Sequence, residues 1–393
     1  MRANQIMQSG IGIALAASIC LGQAPAPTAA QTQRQAAITL EQQGRNPEAE
    51  TTWKAVLQAH PSSPEALAHL GLLEARQEHY TEAVAFYRKA LALNPAIPSL
   101  KLNLGLALFK SGQMKEAIAV FQPLLKSQPA HSPEVQRLTI LLGMAHYGLF
   151  EYGAAVPYLK SAAAADAQNL QLRLALAHSC LWSKQYQCVL DTYHEILTLN
   201  AESAEADMLA GEALDELKNS PDAIKQFRAA VKANPKEPEV HFGLGYLLWT
   251  IKQYPEAVEE FKAELANNPD HAQALTYLAD TEMQLNKADQ ALPLLEHAKR
   301  VAGNLSLARL DLGILYADAG RNDEALIEMR EAARLTPEDS YVHYHLGRLL
   351  RTMGKKEEAQ VELARAASIH KASDDALKDK MTPIAGPSKP VTP

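Results

Sequence analysis

Apolar residues recur three or four positions apart along most of the chain, which is the spacing that places them on one face of an α-helix. The stretch His69–Pro95 (HLGLLEARQEHYTEAVAFYRKALALNP) follows this pattern and stops at an Asn-Pro pair. Gly71 lies inside the pattern, although glycine costs a helix about 1 kcal/mol relative to alanine. Ala83 and Ala90 also stand where larger side chains are usual. Small residues at fixed places indicate close packing of helices.

The same stretch recurs along the chain with a period of 34 residues. The register slips by four residues around Ser132–Val135 and then resumes to the end of the array. A fixed period of this length is typical of a solenoid built from repeated helical units. Small residues at the eighth, twentieth and twenty-seventh places of a unit define the register, namely Gly71, Ala83, Ala90, Gly105, Ala117, Gly143, Gly211, Ala223, Gly245, Ala257, Gly313, Ala325, Gly347 and Ala359.

These small positions, with a closing proline in most units, resemble the tetratricopeptide repeat (TPR) family. The resemblance implies an all-α, right-handed superhelical solenoid of about ten helix-turn-helix units. Its units are predicted at about 30–63, 64–97, 98–135, 136–169, 170–203, 204–237, 238–271, 272–305, 306–339 and 340–373.

Close approach explains the small residues, because helix axes about 8–10 Å apart leave little room at the contact. We expect Gly71 and Ala83 to meet between the two helices of one unit, and Ala90 to meet the next unit. The closing proline cannot continue the helix, so it forces the turn. Val189, Ile196 and Glu264 depart from the pattern because they are larger than it favours.

The two ends of the chain lie outside the repeats. Residues 1–30 contain an apolar run of about a dozen residues, Ile11–Gly22, followed by small residues before Gln31. We interpret them as a signal peptide or an uncleaved N-terminal anchor, with no membrane insertion after cleavage. The expected location is periplasmic or secreted in a bacterium, or tethered to the membrane. Residues 374–393 are predicted to be a capping segment and a proline-rich disordered tail.

Composition narrows the class of protein. The 393 residues exceed one ordinary compact core, which rarely grows beyond about 250–300 residues. Hydrophobic residues make up 47% of the chain and aromatic residues only 6%, which favours helix over sheet. The net charge of −7 argues against a nucleic-acid partner, which requires a basic surface.

Catalytic and metal-binding motifs are missing from the sequence. No phosphate-binding glycine loop, GxSxG or HExxH stretch occurs. His343 and His345 lie two residues apart on a predicted helix and therefore point in different directions. We predict a protein that is not an enzyme and needs no metal or cofactor.

Cys180 and Cys188 flank the predicted turn of one unit. In an oxidising compartment they are candidates for a disulfide, and the alternative is two buried free thiols.

A partner site is implied by the resemblance, since the first helix of each TPR unit lines the concave face. The second, fifth, ninth and twelfth places of a unit then point into the groove. The candidate groove residues, with charged residues nearby, are Phe109, Tyr147, Trp182, Glu212, Asp215, Phe242, Tyr246, Trp249, Tyr344, Arg348 and Arg351. Aromatic anchors and clustered acids predict a partner with a basic segment.

The predicted function is a non-enzymatic scaffold that binds a protein or peptide partner in the concave groove, in the cell envelope. One alternative is an envelope-assembly factor that self-associates. Another is a regulatory subunit of a separate secretion or glycan-processing enzyme.

Overall fold

The computed structural model describes residues 29–381 apart from residue 98, and those residues form twenty α-helices and no β-strand. The all-α prediction is confirmed. The helices are α1 Ala29–Gln42, α2 Asn46–Ala59, α3 Pro64–Arg76, α4 Tyr80–Leu93, α5 Leu100–Lys110, α6 Met114–Ser127, α7 Pro133–Gly148, α8 Tyr152–Ala165, α9 Leu170–Trp182, α10 Tyr186–Leu199, α11 Ala204–Glu216, α12 Ser220–Ala233, α13 Val240–Thr250, α14 Tyr254–Asn267, α15 Ala272–Gln284, α16 Ala288–Val301, α17 Ser306–Asp318, α18 Asn322–Leu335, α19 Ser340–Thr352 and α20 Lys356–Met381.

The chain divides into two compact units, one ending at Leu138 and the other beginning at Thr139. This boundary lies beside the four-residue slip of the sequence period. The slip itself falls at the start of α7, which has 16 residues where α9 has 13. About one extra helical turn therefore absorbs the inserted residues.

Each of the two compact units is a stack of helical hairpins. In the first unit α1 to α6 pack in chain order, and in the second α8 to α20 do the same. Successive first helices of the hairpins also touch, as α9 touches α11 and α11 touches α13. Neighbouring hairpins therefore share one continuous core, which is the arrangement expected of a solenoid.

Short polar side chains begin several first helices. The Ser63 hydroxyl accepts a hydrogen bond from the Ala66 amide, and Ser203 and Asn169 act in the same way on Ala206 and Leu172. These caps satisfy amide groups that have no partner inside the helix. The sequence therefore fixes where each of these hairpins starts.

A left-handed residue marks the turn inside every hairpin. It lies at the fifteenth place of the 34-residue repeat, where the chain reverses between the two helices. Nine of these ten residues are small, polar or charged: Gly44, Glu78, Gly112, Lys184, Lys218, Lys252, Asn286, Gly320 and Gly354. The tenth is Phe150, with φ of 59°.

The repeat glycines are covered by a side chain sixteen residues later in the second helix. A Cβ atom on Gly71 would lie 2.7 Å from Cε1 of Tyr87, and one on Gly245 would lie 2.8 Å from Cδ1 of Phe261. The side chain that fills the space is thus the ring of Tyr87, rather than Ala83 as the sequence suggested. Ala83 is nevertheless fully buried in α4, as is Ala257 in α14.

The ends of the chain lie partly outside the described residues. The predicted signal segment is outside them up to residue 28, and so is the predicted disordered tail from residue 382. The capping segment from residue 374 forms the last part of α20, which continues without a break to Met381. Within the described residues, no helix combines the length and apolar character needed to cross a membrane.

Candidate partner-binding groove

Three first helices of consecutive hairpins, α9, α11 and α13, surround a cavity of about 460 Å³, which we call the groove cavity. Aromatic and aliphatic side chains form much of its wall, and charged residues complete it. The lining residues are Leu181, Trp182, Lys184, Tyr186, Met208, Glu212, Asp215, Glu216, Phe227, Glu239, Phe242, Gly243, Tyr246 and Leu247. An apolar cavity with a few polar groups is the usual form of a binding site.

The floor of the groove cavity depends on two glycines. The ring of Phe227, in α12, lies against Gly211 of α11 and against Gly243 of α13. A Cβ atom on Gly211 would approach Cδ2 of Phe227 to 2.6 Å, and one on Gly243 would also contact this ring. Phe227 therefore occupies the space that side chains at both positions would fill.

An aromatic cluster continues from the groove cavity along α13 and onto α15. The ring centroid of Tyr246 lies 5.9 Å from that of Trp249 and 5.3 Å from that of Tyr277 in α15. The Trp249 indole N–H donates a hydrogen bond of 2.5 Å to the Asp280 carboxylate. Burial raises the pKa of Tyr277 to about 12, with smaller contributions from Tyr246 and from nearby acids. Tyr277 therefore stays neutral at physiological pH.

Acidic residues outnumber basic ones around the groove cavity. Glu212, Asp215, Glu216 and Glu239 line it, against Lys184. Loss of hydration in the cavity wall raises the pKa of Glu212, His178 opposes this shift, and the charge of Glu239 adds to it. A cation entering here would reverse that shift, because it stabilises the ionised carboxylate.

Two of these acids have partners that orient them. The imidazole Nε2 of His271 lies 2.8 Å from Oε2 of Glu239. The Tyr186 hydroxyl donates a hydrogen bond of 3.3 Å to Oε2 of Glu216. Positioned carboxylates recognise a cationic group with less loss of side-chain freedom on binding.

A disulfide closes the turn at one side of the groove cavity. Cys180 at the end of α9 and Cys188 near the start of α10 are bonded, with Cα atoms 5.8 Å apart. The eight-residue step between them carries Trp182, Lys184 and Tyr186, all of which line the cavity. The bond therefore restrains the segment that supplies this part of the wall.

Some of the predicted groove residues lie together at the groove cavity, and others do not. Trp182, Glu212, Asp215, Phe242 and Tyr246 line the groove cavity, and Trp249 belongs to the adjoining aromatic cluster.

The remaining predicted residues are not among those that line the groove cavity. Tyr147 packs edge-on against Tyr152 and faces a neighbouring pocket with His178 and Glu205. In α19, Tyr344 is exposed and Arg348 lies over its ring at 5.7 Å, while Arg351 is exposed near the end of the helix. Phe109 is in α5 of the other compact unit.

Several residues of the groove cavity and of the adjoining aromatic cluster were not predicted from the sequence. Tyr277 occupies the sixth place of its unit, and Tyr186 and Phe227 come from second helices. The resemblance to the TPR family predicts groove residues at only four places, all of them in the first helix of a repeat. The high aromatic content of residues 242–249 is the one sequence signal that marks this region.

Metal-ligating side chains are scattered through the described residues. No group of three or more histidine, cysteine, aspartate or glutamate side chains is arranged there to hold a metal ion. His343 is buried and pairs through Nδ1 with Oε2 of Glu362 at 2.5 Å, while the ring of His345 packs against Tyr341.

The stacked hairpins and their shared core define the class of the molecule as an α-helical repeat protein. One sequence profile of the tetratricopeptide repeat matches residues 34–98, 190–238, 208–266, 242–304 and 310–376, and another matches residues 74–139. The chain belongs to the tetratricopeptide repeat family. Repeats of this family are typically non-catalytic, and their proteins generally bind protein or peptide partners.

Several solved structures match parts of the chain at low sequence identity. YrrB, described as a TPR protein with an unusual peptide-binding site, is 22% identical, with 48% of this chain and 98% of that chain covered and a TM-score of 0.38. MamA is 19% identical, with 42% and 96% covered and a TM-score of 0.36. A thermophilic TPR protein from Thermus thermophilus is 23% identical, with 44% and 99% covered and a TM-score of 0.37. Comparison with curated protein sequences gave no match.

Proposed function

We propose that the protein is a non-enzymatic scaffold that binds an extended segment of a partner protein in the groove cavity. The partner segment carries an apolar or aromatic side chain beside a basic one. The observation that carries this proposal is the combination, in one cavity, of five aromatic side chains with four acids and one lysine.

The two kinds of lining residue have different roles. Aromatic side chains such as Tyr246 and Phe242 bury large apolar area with little conformational freedom to lose, so they suit anchoring. Acids such as Glu212 and Asp215 attract a basic segment and orient it. Helices rather than loops supply most of the wall, which favours a preformed site.

The test is an affinity pull-down from native extract with residues 29–393 as bait, beside the variant Tyr246→Ala/Glu212→Lys. We expect the unmodified bait to retain a specific protein that the variant loses. The matched control is Tyr344→Ala/Arg348→Glu, which changes the same kinds of side chain in α19. Circular dichroism melting of all three baits checks that each is folded.

Equal retention of the partner by the Tyr246→Ala/Glu212→Lys variant would place its binding site elsewhere. Loss on the α19 control alone would move the site to the last hairpin. A bait that retains no specific protein would contradict the scaffold function itself.

We also propose that the protein is exported to the cell envelope. The apolar run Ile11–Gly22 with small residues before Gln31 supports this, as does the Cys180–Cys188 disulfide, since such bonds persist in oxidising compartments. N-terminal sequencing of the protein isolated from its native cells should give Gln31 as the first residue. Recovery of the intact N-terminus from the cytosolic fraction would contradict export.

A further inference from the structure

Trp182 departs from the repeat pattern in the wall of the groove cavity. It occupies the thirteenth place of its 34-residue repeat, where the other nine repeats have glycine, threonine, glutamine or a charged residue. Its side chain is 64% exposed, although a tryptophan ring carries a large apolar area. Packing of the hairpin core therefore does not explain why this place holds an aromatic ring.

The Trp182 ring is held in place by a ring from the preceding hairpin. Tyr152, at the start of α8, stacks on it with ring centroids 6.2 Å apart and ring planes 22° from parallel. Tyr152 is not among the residues that line the groove cavity, whereas Trp182 is. The stacked pair therefore offers the cavity a flat, oriented apolar surface.

Two carboxylates of α11 line the groove cavity together with this ring. Glu216 occupies the thirteenth place of the following repeat, and Glu212 lies one helical turn before it. The Tyr186 hydroxyl donates a hydrogen bond of 3.3 Å to Oε2 of Glu216 and so orients that carboxylate. Lys184 is the basic residue of the wall, so negative charge is in excess beside Trp182.

We propose that the basic residue of the partner segment is an arginine, whose guanidinium group lies against the Trp182 ring and donates hydrogen bonds to Glu212 and Glu216. The neighbouring apolar side chain of the partner contacts Phe242 and Tyr246, which line the same cavity. This inference rests on the proposed function, since it names the side chain that the groove cavity selects.

The chemistry of the two basic side chains favours arginine here. A guanidinium group is planar, is weakly hydrated and stacks on aromatic rings, and its five N–H donors match the geometry of carboxylates. It can therefore contact the Trp182 ring and both acids at once. The ammonium group of lysine is a compact, strongly hydrated charge with three donors and no flat face. Lysine gains the attraction of the acids but little from the ring.

The test compares three probes that differ in one side chain. Acetyl-Phe-Arg-amide, acetyl-Phe-Lys-amide and acetyl-Phe-citrulline-amide are titrated into the full chain by isothermal titration calorimetry. We expect the arginine probe to bind about fivefold more tightly than the lysine probe, because only the guanidinium group stacks on the ring. Citrulline keeps the planar shape without the charge, so its probe should bind about tenfold more weakly than the arginine probe.

Three variants assign the preference to the named side chains. Trp182→Leu keeps an apolar side chain and removes the ring, so it should bind the arginine and lysine probes equally. Glu212→Gln/Glu216→Gln should weaken binding of both charged probes more than binding of the citrulline probe. Tyr344→Leu removes an exposed ring of α19 and should keep the arginine preference. Circular dichroism melting shows whether each variant is folded.

Equal affinity for the arginine and lysine probes overturns this inference, as does an arginine preference that survives Trp182→Leu. If Tyr246→Ala still weakens the binding of equally bound probes, only the arginine preference is overturned and the groove cavity remains the binding site. Failure of all three probes to bind at about 10 mM, or affinities that Tyr246→Ala leaves unchanged, would contradict the proposed function and this inference with it.

Discussion

Gly245 shows why a residue with poor helix propensity is kept inside a helix. Its missing side chain lets the ring of Phe261 lie directly on the backbone of α13. The buried ring contributes about 1.5–3 kcal/mol through the area it removes from water, against about 1 kcal/mol of lost helix propensity. Packing therefore outweighs propensity at the repeat glycines.

Gly245→Ala should destabilise the protein by about 1–2 kcal/mol. The added Cβ atom would lie 2.8 Å from two atoms of the fully buried Phe261 ring, and overpacking costs about 1–3 kcal/mol, more than alanine gains in helix propensity. Urea unfolding followed by circular dichroism measures the change.

Gly153→Ala is the matched control for this substitution. Gly153 is also helical, but the nearest atom to an added Cβ atom is Cβ of Ser183 at 3.9 Å. Alanine should therefore stabilise α8 by up to about 1 kcal/mol. If both substitutions shifted stability in the same direction, the packing explanation for Gly245 would be wrong.

Asp311 makes stability depend on pH. Complete burial raises the pKa of its carboxyl group well above the ordinary value, and the charge of Asp280 adds to this effect. The folded state therefore holds this proton to a higher pH than the unfolded state. The contribution is fully present below the unfolded pKa of about 3.9 and is lost as pH rises towards the folded pKa.

Asp311→Asn should flatten that pH dependence. The stability of the variant relative to the unmodified protein should increase between about pH 4 and pH 8, measured by urea unfolding at each pH. Asp318→Asn, at an exposed position of the same helix, serves as the control. A difference that stays constant with pH would show that Asp311 is already ionised in the folded protein.

At the scale of helices and turns, most of the architecture follows from the sequence. The period of 34 residues predicts the hairpins, and capping residues such as Ser63 and Asn169 mark their starts. The sequence did not predict that α7 absorbs the four-residue slip. Residues inserted in a helix and residues inserted in a loop shift the repeat register by the same amount. The left-handed turn position was also missed, since lysine and glutamate occupy it as often as glycine.

The Cys180–Cys188 disulfide restrains one such turn. Unfolded in urea, residues 29–393 should take up no iodoacetamide before reduction and two equivalents after it, as measured by intact mass. In the chain-entropy description, a crosslink over 8 residues is worth about 2–3 kcal/mol, so reduction should lower unfolding stability by about that amount. Two alkylated cysteines without reductant would show that the thiols are free.

At the scale of the whole molecule, the family and the class of function could be predicted from the repeat pattern, whereas the site was predicted only in part. Trp182, Phe242 and Tyr246 were found because they lie on first helices or next to a groove position. Phe227 in the cavity wall and Tyr277 in the adjoining aromatic cluster were missed, because their positions depend on how consecutive hairpins stack. Arg348 and Arg351 were predicted from the same rule, and the structure places them in α19, away from the groove cavity.

The central claim is that the groove cavity binds a segment in which a basic residue neighbours an apolar one. The most direct measurement is selection of a random dodecapeptide library on residues 29–393, with parallel selection on Tyr246→Ala/Glu212→Lys. The account predicts enrichment of peptides with arginine or lysine beside an aromatic or aliphatic residue, and loss of that enrichment on the variant. Enrichment of acidic or uncharged peptides, or the same peptides on both proteins, would contradict it.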